Sequence, residues 1–244
     1  MNIEAVARAI AARRPPGGPY IVGITGSVAS GKSTLALALA PLLAAGGSRV
    51  ELIATDGFLL PNAVLAERGL ELRKGFPETY DLAALETTLR GVRAGPVIIP
   101  CYSHSTYDIN PAGARSLSPP DLLLVEGLAL GLDRPPPPNV ASLVDCLVFI
   151  DAAEADLEAW FVTRFMALWE AAADDPASFY TRFRDRDRSG AKALAHMVWT
   201  GINLPNLRDH IAPVRAHSDL VVVKAADHAV TRIITCGPAE PGGA

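Results

Sequence analysis

The chain has 244 residues, of which 50% are hydrophobic and 20% charged, enough apolar material for one sizeable α/β domain, and its formal net charge is −4. Thinly spread Lys and Arg argue against a nucleic-acid partner, whose phosphate backbone is held by clustered cations, and no apolar run reaches the roughly 18 to 20 residues that span a bilayer. The N-terminus lacks a signal-peptide core, and Cys101, Cys146 and Cys236 match no metal pattern and read as reduced thiols, so a soluble, cytoplasmic protein is expected.

Residues 1–14 place Ile3, Val6, Ala7 and Ile10 at helical spacing before Pro15-Pro16-Gly17-Gly18 ends the helix. Residues 1–19 are therefore a short helix and linker ahead of a main domain over 20–235. The run 20–24 predicts a strand. It enters Gly26-Ser27-Val28-Ala29-Ser30-Gly31-Lys32-Ser33, which fits G-x-x-x-x-G-K-[ST]. In such a loop backbone N–H groups and the positive end of the following helix hold a polyphosphate. Lys32 is expected as an exposed charge for the β/γ-phosphates and the Ser33 hydroxyl as a Mg²⁺ ligand. After Thr34, the Ala- and Leu-rich residues 35–45 predict the helix, interrupted only by Pro41. Strand, loop and helix come in the required order, so nucleotide binding anchors the reading.

Residues 50–54 predict a second strand with Asp56 just past its carboxyl end, where ligands gather in open α/β sheets; a turn-forming Asp-Gly is the other use of that pair. Residues 61–93 read as two helical pieces around a polar surface loop at 73–78. A short third strand at 97–100 opens into a loop carrying Tyr102, His104 and Tyr107; taken singly, each ring reads as packing. Residues 121–125 form the strongest strand, apolar throughout as a central parallel strand should be, and Glu126 at its tip supplies the acid that holds Mg²⁺ in phosphate-loop enzymes. Pro135 to Pro138 read as a stiff connector, 146–150 as a strand, and 154–173 as a helix on which Arg164 emerges among Trp160, Phe161, Phe165 and Leu168. Residues 182–188 alternate in charge sign and read as a solvated, self-paired surface segment. A helix over 190–211, a last strand at 220–223 and a disordered tail over 236–244 complete a doubly wound, mostly parallel sheet with helices on both faces, the P-loop NTPase-like arrangement.

The chain resembles the bacterial type I pantothenate kinases, P-loop kinases of the uridine kinase and phosphoribulokinase group. Besides the phosphate loop, the likeness is carried by Thr55-Asp56-Gly57-Phe58-Leu59, Lys74-Gly75-Phe76-Pro77-Glu78, Tyr102-Ser103-His104, Tyr107-Asp108, Trp160 with Arg164-Phe165, Ile202-Asn203 with Asn206-Leu207, and Lys224 with His228. The resemblance implies transfer of the γ-phosphoryl group of ATP, with Mg²⁺, to a primary hydroxyl, most simply that of pantothenate. It also implies Asp56 as proton acceptor, Lys32 and Arg164 as charge neutralisers, and Ser33 and Glu126 at the metal. Lys224 and His228 would lie near adenine and ribose. Tyr102, His104, Tyr107, Asn203 and the cluster Phe165, Phe179, Tyr180 and Phe183 would lie around pantothenate; a homodimer is implied only by the resemblance.

Departures fall in the pocket, where Phe161 stands for a tyrosine, Leu168 for a phenylalanine and Leu204 for a tryptophan. Leu37 replaces a basic residue tied to coenzyme A feedback, and the family's N-terminal helical extension is reduced to a short helix. Another hydroxyl acceptor, a sugar, glycerate or nucleoside, is the alternative. A guanine-selecting Asn-Lys-x-Asp motif, which a nucleotide switch would need, is absent.

Overall fold

The computed structural model describes residues 3–131 and 140–236; the prolines at 135–138 and the tail beyond Cys236 lie outside them. Helix α1 (Ile3–Ala11) precedes strand β1 (Tyr20–Gly26), helix α2 (Lys32–Ala44) and strand β2 (Val50–Ala54). Helices α3 (Asn62–Glu67) and α4 (Leu82–Gly91) lead to the short strands β3 (Val97–Ile99), β4 (Tyr102–Ser103), β5 (Asp108–Ile109) and β6 (Arg115–Leu117). Strands β7 (Leu122–Glu126) and β8 (Cys146–Asp151) follow, then helices α5 (Glu154–Ala171) and α6 (Arg188–Val198) and strands β9 (Leu220–Lys224) and β10 (Val230–Thr235).

The main sheet runs β2-β7-β1-β8-β9-β10, with the first five strands parallel and β10 antiparallel on β9. Each interior strand buries both faces by strict alternation. Tyr20, Val22, Ile24, Leu122, Leu124, Val148 and Val222 pack under α1 and α2. Their sequence neighbours Ile21, Leu123, Val125, Phe149 and Val221 join the core on the opposite face with Leu85, Leu89 and Trp160. Burial on two faces is why these strands read as unbroken apolar runs. Glu126 pairs with Ile24 on one side and Ala54 on the other, so three strand ends are flush. At Gly127, with φ 155°, a Cβ would lie 1.7 Å from Thr55 Oγ1, so only glycine lets the chains leave β7 and β2 this closely.

The third strand at 97–100 does not join this sheet. It pairs antiparallel with β6, and Ile98 is 65% exposed: three residues halted by Pro100 are too short for a buried rung. The strand at 220–223 is not the last, since β10 follows it, with a pattern half exposed and hard to see in sequence.

The helix at 190–211 is irregular: α6 passes into a π turn at Trp199–Asn203, a single α turn (α7, Leu204–Asn206) and a second π turn at Leu207–Ile211. Pro205 lacks the N–H that would serve Gly201, and the ladder widens there, with Leu204 N–H donating to Trp199 O. Nor are charges 182–188 self-paired. Arg184 lies 4.3 Å over the Trp169 ring, Arg188 pairs with Glu170, and Asp187 Oδ1 accepts from Gly190 N–H (2.7 Å) as the cap of α6.

Candidate active site

The loop from β1 to α2 turns through residues of alternating hand. Ala29 has φ 61°, a strained value for a side-chain-bearing residue. Gly31, at φ 84°, is the N-cap of α2, and a Cβ there would lie 2.7 Å from Lys224 Nζ. Free N–H groups and the positive end of a 13-residue helix thus face one spot.

Lys32, expected exposed, is only 9% exposed, and its Nζ donates to Ser27 O (2.9 Å). Burial holds its pKa down, opposed by the carboxylates of Glu126 and Asp56. Lys224, the last residue of β9, donates to Ser30 O (2.8 Å) and is likewise held down by burial. Both lysines therefore brace the loop from inside. The Ser27 and Ser30 side chains are buried beneath it, and Gly26 lies against the Ile150 carbonyl.

Ser33 Oγ donates to Glu126 Oε1 (2.8 Å), and burial raises the Glu126 pKa against the pull of Lys32. No group of three or more acidic, His or Cys ligands forms among the described residues. Two oxygens from serine and glutamate fit Mg²⁺, which keeps waters and takes its remaining ligands from phosphates.

Two cavities meet at this loop. The larger, about 960 Å³, is lined by Gly31, Thr34, Trp160, Lys224, His228 and the start of α1 at Ile3. Its aromatic wall is His228 stacked on Trp160, with ring centroids 4.0 Å apart and planes 24° apart, locked by Trp160 Nε1 donating to Ala226 O (2.9 Å). The smaller, about 140 Å³, holds Asp56, Tyr102, Tyr107, Phe161, Phe165, Tyr180 and Asn203, with Val28 and Glu126 toward the loop. Ala29, Lys32, Ser33, His104 and Arg164 line both. The Asp56 carboxylate and the Arg164 guanidinium make no hydrogen bond or ion pair among the described residues, and burial pushes the phenols of Tyr102, Tyr107 and Tyr180 up, keeping them protonated donors.

Tyr102, His104, Tyr107, Phe161, Phe165, Tyr180 and Asn203 thus converge on the small cavity, whereas Phe179 and Phe183 of the expected aromatic cluster do not line it, and Lys224 and His228 line the large one. Sequence reasoning assigned no role to Lys74, which enters the small cavity with Nζ 5.0 Å from the Tyr102 ring centroid and 4.5 Å from that of Tyr107. Asn206, whose Nδ2 donates to Gly75 O (2.9 Å), was missed in the same way. The resemblance quoted both, but a lone lysine in a polar loop carries no signal of its own.

A parallel sheet in this order, a braced phosphate loop and an acid at the adjoining strand tip define a P-loop phosphotransferase. The chain belongs to the phosphoribulokinase / uridine kinase family, whose profile matches residues 21–167. Among curated relatives, the pantothenate kinase of Xanthobacter autotrophicus is 45% identical over 225 residues, 88% of this chain and 70% of its own length. That of Sorangium cellulosum is 44% identical over 221 residues, 88% and 72% of the two chains. Among solved structures, a protein described as a fructose transport system kinase, from Silicibacter sp., matches with TM-score 0.70 and 27% identity over 85% of this chain and 93% of that one. Phosphoribulokinase from Rhodobacter spheroides shares the fold, with TM-score 0.52 and 18% identity over 84% and 70%. The protein is accordingly an ATP-using kinase with an alcohol acceptor.

Proposed function

We propose that this kinase phosphorylates the primary hydroxyl of pantothenate, with nucleotide in the large cavity and acceptor in the small one. The observation that carries the geometry is the shared wall: a phosphoryl group at the junction lies against residues of both cavities at once. The acceptor's identity is supported by relatives at 43–45% identity that bear the name pantothenate kinase.

Asp56 accepts the proton of the acceptor hydroxyl. Lys32 and Arg164 neutralise charge spread over the transferring oxygens, which a loose transition state needs more than a strong base. Ser33 and Glu126 would hold Mg²⁺, which when bound draws charge from the β- and γ-oxygens. Lys224 fixes the loop, and His228 on Trp160 offers a ring face to the base. Tyr102, His104, Tyr107, Tyr180 and Asn203 supply polar contacts to the acceptor, and Phe161 and Phe165 its apolar wall. Three free cysteines suit a cytoplasmic setting.

The deciding test is ATP turnover with Mg²⁺ against pantothenate, fructose, glycerate, uridine and no acceptor. Pantothenate should give the highest kcat/KM; strong turnover of another acceptor with none of pantothenate would overturn the assignment and leave the kinase intact.

A further inference from the structure

Asn62, the first residue of α3, lies outside the small cavity but bonds to the residues that line it. Lys74 Nζ donates to its Oδ1 (2.6 Å), and its Nδ2 donates to Tyr107 O (2.9 Å). Its backbone N–H donates to Asp108 Oδ1 (3.0 Å), and Lys74 Nζ donates to the same Tyr107 carbonyl (2.6 Å). These partners settle the amide's orientation, because only its oxygen can face an ammonium and only its NH₂ a carbonyl. Tyr107 has φ 56°, unfavourable for a bulky residue, so its backbone stays there only while the surroundings hold it. Two of the bonds that hold it end on its own carbonyl.

We propose that Asn62 is a positioning residue for the acceptor, anchoring the Lys74 ammonium and the left-handed Tyr107 backbone so that both present a fixed wall to the small cavity. The role rests on reading that cavity as the acceptor site.

The groups around the Lys74 ammonium also govern its protonation. Burial holds its pKa down to about 8, against the carboxylates of Asp108 and Asp56 that face it; Tyr102 and Tyr107 present ring faces. Deleting the Asn62 oxygen removes a bond to the charged form and should lower the value further, whereas Asn62→Asp places a carboxylate there and should raise it.

The chain has four lysines, Lys32, Lys74, Lys192 and Lys224, so ¹³Cε-lysine NMR can follow Lys74 alone, assigned through Lys74→Arg. We expect its titration midpoint to fall in Asn62→Ala and rise in Asn62→Asp. We also expect kcat/KM for the acceptor to drop about tenfold in Asn62→Ala, with KM for ATP within twofold. Asn62→Asp, nearly isosteric, carries the test should the alanine variant fail to fold. A Lys74 midpoint unmoved in the folded variants, or equal loss of acceptor and ATP affinity, would overturn the proposal. Absence of pantothenate turnover by the native enzyme would instead refute the acceptor reading, and the lysine titration would still decide the role of Asn62.

Discussion

Asp56 lies one residue into the 3₁₀ turn that caps β2, partly exposed, and its carboxylate makes no hydrogen bond or ion pair among the described residues, so it can meet a hydroxyl without first breaking a bond. General bases contribute about 10² to 10⁴ in rate, and a loose transition state favours the lower end. Asp56→Asn should therefore cut kcat about a hundredfold while KM for ATP stays level; steady-state kinetics in which the loss falls on ATP binding would move Asp56 to the metal. Phe161 tests the pocket rather than the chemistry. Its ring sits 5.9 Å from Trp199 and 6.2 Å from Phe165, between the small cavity and the core. A hydroxyl added there should find a polar group of pantothenate and lower its KM roughly two- to tenfold, the yield of one neutral hydrogen bond. A raised KM in Phe161→Tyr would show a cavity shaped for a less polar acceptor.

At the scale of elements, the loop is held from below by β9, a strand distant in sequence. Lys224→Met keeps most of the side chain's bulk but leaves Ser30 O without its donor, and a loosened loop should bind nucleotide more weakly. We expect KM for ATP to rise about tenfold with acceptor KM unchanged; an unchanged KM for ATP would remove Lys224 from the site. Which elements could be read from sequence follows from how local their determinants are. The phosphate loop, Asp56 and Glu126 were readable because motif spacing and strand ends lie within a few residues of each other. Strand β10 was not, since its buried face depends on β9 and its outward face is polar. The π turns escaped as well: helical periodicity cannot show that Pro205 widens the ladder and turns Asn203 toward the cavity. Pro41 is the reverse case, a breaker that breaks nothing. The helix runs past it to Ala44, and the carbonyl it cannot serve belongs to Leu37, on the exposed side of the helix.

For the whole molecule, both cavities open at the carboxyl ends of strands whose central members are buried on both faces, so ligand binding should stabilise the native state as a unit. A non-hydrolysable ATP analogue at a hundred times its Kd adds about 2.7 kcal/mol, which for a chain of this size raises Tm by about 5 to 10 °C. Because Ser33 and Glu126 alone cannot complete a metal's shell, that rise should shrink sharply when Mg²⁺ is chelated. Equal thermal shifts with and without Mg²⁺ would count against the pair as a metal site.

The stack of His228 on Trp160 has a consequence for which nucleotide is used. One face of the imidazole is already covered, so a bound base could lie only on the other, and a ring face offers the same surface to any flat heterocycle. The same cavity is lined by the apolar side chains of Ile3, Leu35 and Val230 and by the polar ones of Thr163 and Lys224. Ring overlap of that kind holds a flat heterocycle without by itself separating adenine from guanine, so any choice between them falls to the polar groups along the base's edge.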